Sequence, residues 1–362
     1  MDLIKSIFTK TVVGLDIGVS GIKAVELSSD KNTSLVAYNR ISLPWDTISP
    51  DGVIKNEAAI VSALKKLFSG KTFSTRTVSV AVFGNSVLSK PILMPPMKPK
   101  DIEEQIYWEA EQYIPFNIDE CQIDFAVVGN TVTKVESGTQ SAMEVLLVAA
   151  KKDYLQSFSN LIESAGLNPK VLDYQPFAIG NAFEFNYGDE LGEEAQGDTD
   201  VIVDFGAGST KLSFIEKKNV IYTNKVSACG LGCTMLLAER LGESIDQAEQ
   251  IKLTEPDSPL IHPIITDYIT LLTTEVQKNI DVFFSGSPDR HLRKVFYCGG
   301  GMKTPGLIDQ LCTIYPEQTE QLNPIRHLRF PKTGTNKNLI RDLSCLGTVA
   351  VGLALRKSGD QS

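Results

Sequence analysis

The sequence predicts an α/β chain of two similar lobes closing on one phosphate-bearing ligand. Three stretches carry that reading: VVGLDIGVSGIKAVEL at 12–27, DVIVDFGAGSTKLSFIE at 200–216 and KVFYCGGGMKTPGL at 294–307. In the middle one, Val201, Ile202 and Val203 form a β-branched run that reads as a buried strand. Asp204 ends it, Gly206 and Gly208 permit a tight turn, and Thr210, Leu212 and Phe214 alternate into a second strand. Backbone N–H groups of such a turn form an anion-binding nest, and a carboxylate beside it suits a hydrated Mg²⁺. Taken alone, the stretch reads equally as an ordinary hairpin.

The first stretch is a second copy. Asp16, Gly18 and Lys23 repeat Asp204, Gly206 and Lys211 at matching offsets, which points to a duplication. In the third, a strand at 295–297 runs into Gly299, Gly300 and Gly301, which let the backbone approach a flat or charged ligand. A helix is expected near Thr304 and Pro305, with Thr304 as its cap. This order resembles the actin-like ATPase superfamily, whose phosphate-1, phosphate-2 and adenosine motifs the three stretches look like. The resemblance implies the duplicated, ribonuclease H-like two-lobe ATPase fold of actin.

Between the motifs, a third strand is expected near 35–43 and an amphipathic helix over 56–68, capped by Asn56 and stopped at Gly70. Residues 77–83 alternate as a strand. Residues 86–129 hold Pro95, Pro96 and Pro99, a helix over 101–113 and a strand over 121–128. A strand at 143–150 and a helix at 151–165 follow. The acidic, glycine-bearing stretch 187–200 reads as a solvated loop between the lobes. Gly230 and Gly232 precede Thr234 and a helix over 235–241, a glycine-rich start that can hold phosphate or ribose. Ser244 caps a helix over 245–252, a long amphipathic helix spans 264–284, and an apolar helix over 345–355 carries small residues suited to tight packing near the first hairpin.

Actin has no inserted subdomain at 86–129. Here the chain resembles the division protein FtsA and the pilus assembly PilM families, which carry a small subdomain called 1C at this point. The wording is closest to the PilM family: PILMP at 91–95, WEAEQYIPF at 108–116, Asp124-Phe125 and LLVAA at 146–150. The similarity runs from about Val12 to Leu355. The implied division is lobe 1A at 1–77 and 154–197, 1C at 78–153, lobe 2A at 198–230 and 294–362, and 2B at 231–293.

Composition sets bounds. The chain has 362 residues, 42% hydrophobic and 22% charged, enough for two lobes of an ordinary globular protein. A net charge of −9 argues against a nucleic-acid surface. Six cysteines without a CxxC pair, and three histidines, leave no convincing metal set and read as buried free thiols in a reducing cytoplasm. No apolar run reaches about 18 residues, so no membrane-spanning helix is expected. Leu3, Ile4, Ile7 and Phe8 share one helical face, which reads as a frayed terminus or, alternatively, as a membrane-surface or docking turn.

The resemblance implies a site. ATP would lie between the hairpins, held by Asp16, Gly18, Ser20, Gly21 and Lys23 from one lobe and Asp204, Gly206, Gly208, Ser209, Thr210 and Lys211 from the other. Asp16 and Asp204 would hold Mg²⁺ through water. Gly230, Gly232, Gly299, Gly300, Gly301 and Met302, with Glu275 and Lys278 on the long helix, would surround the nucleoside; that helix reads alternatively as a surface helix with solvated charges. Gln175 fits the position that orients attacking water in the family, and reads alternatively as a polar helix cap. A Gln is a poor base, so turnover is expected to be slow. The implied function is an ATP-binding scaffold of the type IV pilus machine under the inner membrane. It would capture the N-terminal tail of PilN between 1A and 1C, with Ile92, Leu93, Met94 and Pro95 as candidate contacts, which read alternatively as packing of the subdomain itself. PilO through PilN, a pilus motor ATPase and a second copy are further expected partners. The alternatives are an FtsA-like filament-forming membrane tether and a small-molecule kinase. FtsA ends in a membrane helix, and the ending LRKSGDQS shows none, which counts against the tether.

Overall fold

The computed structural model describes residues 11–28, 33–135, 138–190, 197–330 and 337–356. The expected N-terminal helical face and the centre of the 187–200 loop lie outside them.

Two five-stranded sheets share one topology. The first contains β1 (Val13–Gly18), β2 (Gly21–Leu27), β3 (Leu35–Ser42), β4 (Thr77–Val82) and β8 (Asn168–Tyr174), in the order β3-β2-β1-β4-β8. The second contains β9 (Asp198–Phe205), β10 (Thr210–Glu216), β11 (Asn219–Val226), β12 (His291–Cys298) and β13 (Thr319–Gln321), in the order β11-β10-β9-β12-β13. In each, the first three strands form an antiparallel meander and the last two run parallel to the first. The fold is therefore the duplicated actin-like α/β architecture.

The central strands read as apolar runs because helices cover both faces. Val13, Leu15, Val201 and Val203 are fully buried. In lobe 1, α1 (Glu57–Leu67) buries Ile60, Ala63, Leu64 and Leu67, and the Asn56 side chain accepts the Ala59 N–H at 3.0 Å as its cap. Helix α3 (Lys152–Ser164) packs beside it. In lobe 2, α5 (Gly230–Leu241), α6 (Ile245–Thr254) and α7 (His262–Ser285) intervene before β12, and α8 (Leu307–Ile314) before β13. Ser244 and Gln247 form a reciprocal capping box on α6.

The insertion has its own core. Strands β5 (Val87–Met94), β6 (Cys121–Val135) and β7 (Gly138–Lys151) form a sheet in the order β5-β7-β6, covered by α2 (Pro99–Ala110). Strands β6 and β7 run longer than their apolar pattern predicts. Their antiparallel ladder continues to Val135 opposite Gly138, and cross-strand hydrogen bonding carries polar residues such as Thr131 into the strand.

The C-terminal segment packs near the first hairpin as expected, but differs from expectation in its helices and its lobe. The predicted 345–355 helix is two helices, α9 (Lys337–Leu346) and α10 (Thr348–Ala354), broken at Gly347. The expected division keeps this segment with lobe 2, but α10 packs on β1, β2, β4 and on α4 (Gln175–Tyr187) of lobe 1. A Cβ on Gly14 of β1 would lie 2.0 Å from Ala350 O, and one on Gly352 would lie 1.7 Å from Ala178 O. The small residues of α10 thus allow backbone-to-backbone packing. Phe183 and Tyr187 of α4 meet Phe296 of β12, so a shared core joins the lobes.

Candidate functional site

Each hairpin ends its first strand on a buried aspartate. Asp16 is 7% exposed and Asp204 6%. Antiparallel register puts Lys23 directly opposite Asp16, and Lys211 directly opposite Asp204. Lys23 Nζ donates to Asp16 Oδ2 at 3.0 Å, so it is an ion-paired lysine rather than a solvated one. Gln175, the first residue of α4, donates from Nε2 to Asp204 Oδ2 at 3.1 Å. Burial pushes the Asp204 carboxyl above its ordinary value; Lys211 opposes this and the charge of Asp16 adds to it.

The turns face each other. Gly208 of the second packs against the first, where a Cβ would lie 2.6 Å from Val19 Cγ2 and 3.3 Å from Pro50 Cα. Among the described residues, the N–H groups of Val19, Ser20, Ala207 and Gly208 donate to no backbone carbonyl outside the ladders. Unspent turn donors of this kind suit an anion.

Both turns open onto one cavity of about 570 Å³. Asp16, Gly18, Ser20, Gly21, Lys23, Asp204, Gly206, Gly208, Ser209, Lys211, Gln175, Gly299 and Gly300 line it. Gly299 has φ +87°, and a Cβ there would lie 2.3 Å from Asp204 Oδ1 and 2.6 Å from Phe205 O. Only glycine lets this turn close over the end of β9. The helix expected at Thr304 begins later: a 3-10 turn spans Gly300–Lys303, and α8 starts at Leu307 behind Gly306.

Other expected contacts do not line the cavity. Thr210 is buried and its hydroxyl donates to Ala228 O at 2.8 Å. Gly301 abuts Phe205 O, and Met302 packs on the lobe 2 core. Helix α5 starts at Gly230, not Met235, and its first N–H groups serve the hairpin turn: Gly230 N–H donates to Gly206 O at 3.1 Å and Leu231 N–H to Ala207 O at 3.0 Å. Gly232 makes room for Tyr268, whose hydroxyl oxygen would lie 2.0 Å from a Cβ. Glu275 and Lys278 sit on α7 outside the cavity, and Lys278 is exposed on its outer face.

The 92–95 stretch divides. Ile92 and Met94 are 4% and 1% exposed and belong to the core of the inserted sheet, because alternate residues of β5 point inward. Leu93 is 51% exposed, and Pro95 is exposed. Pro91, Ile92 and Leu93 border a smaller cavity, about 220 Å³, whose far wall is Ile221, Tyr222, Phe283 and Arg290 of lobe 2. This stretch therefore does not face lobe 1. The part of the insertion that does is lined by Leu88, Lys90, Pro115 and Phe116, on the same large cavity as Phe83, Asp51 and Gly52.

The sequence reading missed Arg40, Asn224 and Lys225, which line the cavity from the third strand of each meander. Pairing each meander as a ladder would have found them, since Arg40 lies opposite Lys23 and Lys225 opposite Lys211. Of the cysteines, Cys121, Cys229, Cys233 and Cys298 are buried free thiols as expected, whereas Cys312 is exposed and Cys345 half-buried. Among the described residues no group of three or more His, Cys, Asp or Glu side chains is placed to hold a metal, and no helix is long and apolar enough to cross a membrane.

Known proteins share this architecture. The solved structure of a PilM-PilN type IV pilus biogenesis complex is 27% identical, with a TM-score of 0.82, over 96% of this chain and 98% of that one. The ethanolamine utilization protein EutJ from Carboxydothermus hydrogenoformans is 16% identical, with a TM-score of 0.51, over 95% and 89%, and shares the fold. The family model described as type IV pilus assembly protein PilM matches residues 14–358. The chain belongs to that type IV pilus assembly PilM family.

Proposed function

We propose that this protein is an ATP-binding scaffold of the type IV pilus machine that captures the N-terminal tail of PilN. The observation that carries the nucleotide reading is the repeated hairpin: two buried aspartates and two sets of unspent turn N–H groups converge on one cavity from opposite lobes. Turn donors and lysines suit the phosphates, and the backbone at Gly299 and Gly300 lines the same cavity where the nucleoside would lie. A pair of carboxylates fits Mg²⁺, which keeps much of its water and takes only one or two protein oxygens beside phosphate. Bound there, the ion would neutralise phosphate charge. Asp16 and Asp204 would hold it through water.

Gln175 is the residue for positioning water. Its amide is held by Asp204, which favours orientation over proton abstraction, so turnover is slow and bound nucleotide serves chiefly to bias lobe closure. We assign 1A, 1C, 2A and 2B much as the resemblance implies, with α10 joined to 1A. The PilN tail reading rests on the PilM-PilN complex among the similar structures. Its groove is the lobe 1 face of the insertion, at Leu88, Pro115 and Phe116, rather than 92–95. Binding PilN, and PilO through it, would hold the protein at the cytoplasmic side of the inner membrane.

Calorimetry with Mg-ATP and fluorescence polarisation with a PilN tail peptide test both halves on the full chain. Asp204→Ala should weaken Mg-ATP binding at least tenfold, about 1.4 kcal/mol, and keep the peptide. Unchanged nucleotide affinity sinks the ATP reading, and a parent protein that ignores the peptide sinks the scaffold reading.

A further inference from the structure

Each sheet carries a row of three charged residues across its meander. In lobe 1 the row is Asp16, Lys23 and Arg40; in lobe 2 it is Asp204, Lys211 and Lys225. All six line the same cavity. The duplication thus extends one strand beyond the sequence motif.

The rows differ in how their charges are balanced. In lobe 1, Lys23 pairs with Asp16, and Arg40 Nε lies 2.5 Å from Asp342 Oδ2 of α9. Two cations meet two carboxylates. In lobe 2 two cations share one carboxylate, Asp204, which Gln175 already engages. Among the described residues, Lys211 and Lys225 form no ion pair. The Lys225 ammonium meets only the neutral Asn85 side chain, at 3.4 Å. Asp51 lines the same cavity and attracts Lys225 from a distance, without forming an ion pair. Lys225 is exposed, yet partial desolvation at the cavity wall and the charge of Lys211 hold its ammonium below its ordinary value.

Like charges directly opposite on a ladder are destabilising. Here they sit in register beside the turn whose Ala207 and Gly208 N–H groups are unspent. An anion between them would relieve the repulsion and use those donors. We propose that Lys225 and Lys211 form a cation pair that binds the terminal phosphate of a nucleoside triphosphate. This inference rests on the nucleotide reading above and adds a strand β11 contact to it. Two point charges on flexible stems suit a phosphate that must be released, where a bidentate Arg would fix it. Strand β11 also touches the insertion, since Ser89 and Thr223 hydroxyls lie 2.6 Å apart. Filling the phosphate site would therefore load the strand that borders 1C.

The test is calorimetry of the full-length protein, its Lys225→Ala and its Lys225→Arg variants, with ATP, ADP, adenosine and inorganic pyrophosphate. Lys225→Ala should bind ATP about tenfold more weakly and adenosine unchanged, and Lys225→Arg should restore most of the loss. Without ligand, Lys225→Ala should melt at or above the parent temperature, because the repulsion is gone. Equal ATP affinity in parent and Lys225→Ala overturns the pair and leaves the nucleotide reading standing. Equal loss of adenosine and ATP also overturns it. If the parent binds no nucleotide but pyrophosphate in a Lys225-dependent way, the pair stands and the nucleotide reading fails.

Discussion

Replacing Asp173 by Asn should stabilise the protein at neutral and alkaline pH. Asp173 lies on β8, two residues before Gln175, opposite Ala81. It is 6% exposed, and its Oδ2 accepts no hydrogen bond among the described residues. Arg356 stands 3.7 Å away, too far for one. Burial therefore pushes the carboxyl up from 3.8 to about 6, against the pull of Arg356 and the Tyr174 N–H. The folded value exceeds the unfolded one, so the folded state holds the proton more tightly. Stability contributed by that proton is complete below pH 3.8 and is lost as pH rises through about 6. At about 1.36 kcal/mol per pH unit the loss is roughly 3 kcal/mol. With about 2.1 cal/mol/K of unfolding entropy per residue over 362 residues, this is about 4 °C in Tm. Thermal unfolding of parent and Asp173→Asn across pH 4 to 8 is the assay. The variant should lead by about 4 °C at pH 8, and the gap should close towards pH 4. A gap that is constant with pH, or a variant less stable at pH 8, would refute the assignment of a strained buried charge.

Neighbouring residues of β5 should behave oppositely. Met94→Ala, in the core of the insertion, should cost about 2–5 kcal/mol, whereas Leu93→Ala, half-exposed on the other face, should change denaturant midpoints little. Comparable losses at both would contradict the face assignment. Gly352→Val should cost about 3 kcal/mol or more, because its Cβ would meet Ala178 O at 1.7 Å and force α10 off α4. A soluble variant with parental stability would show that the two backbones are not in contact.

Local chemistry made much of this protein legible in advance. Glycines at 206 and 208, apolar runs of period two and an aspartate repeated before the turn encode the hairpins, and glycines at 299 to 301 the turn after β12, whatever the rest of the chain does. The placing of Asp16, Asp204 and Gly299 around one cavity followed from those motifs, and that of Gln175 from the resemblance to the actin-like ATPases.

What needed the folded chain was everything set by pairing across long separations. Lys225 resembles any exposed lysine until the ladder places it beside Lys211, and Arg40 until Asp342 arrives from α9. Gly230 and Gly232 read as ligand glycines, yet the first is occupied by Gly206 O and the second makes room for Tyr268. The small residues of 345–355 pointed to tight packing near the first hairpin, but only the fold shows the partners: Gly14 of β1 makes room for Ala350 O, and Gly352 makes room for Ala178 O of α4. A residue's own neighbours in the chain set its turn and its face. Its charge balance and its hydrogen-bond partners depend on which distant segment packs against it.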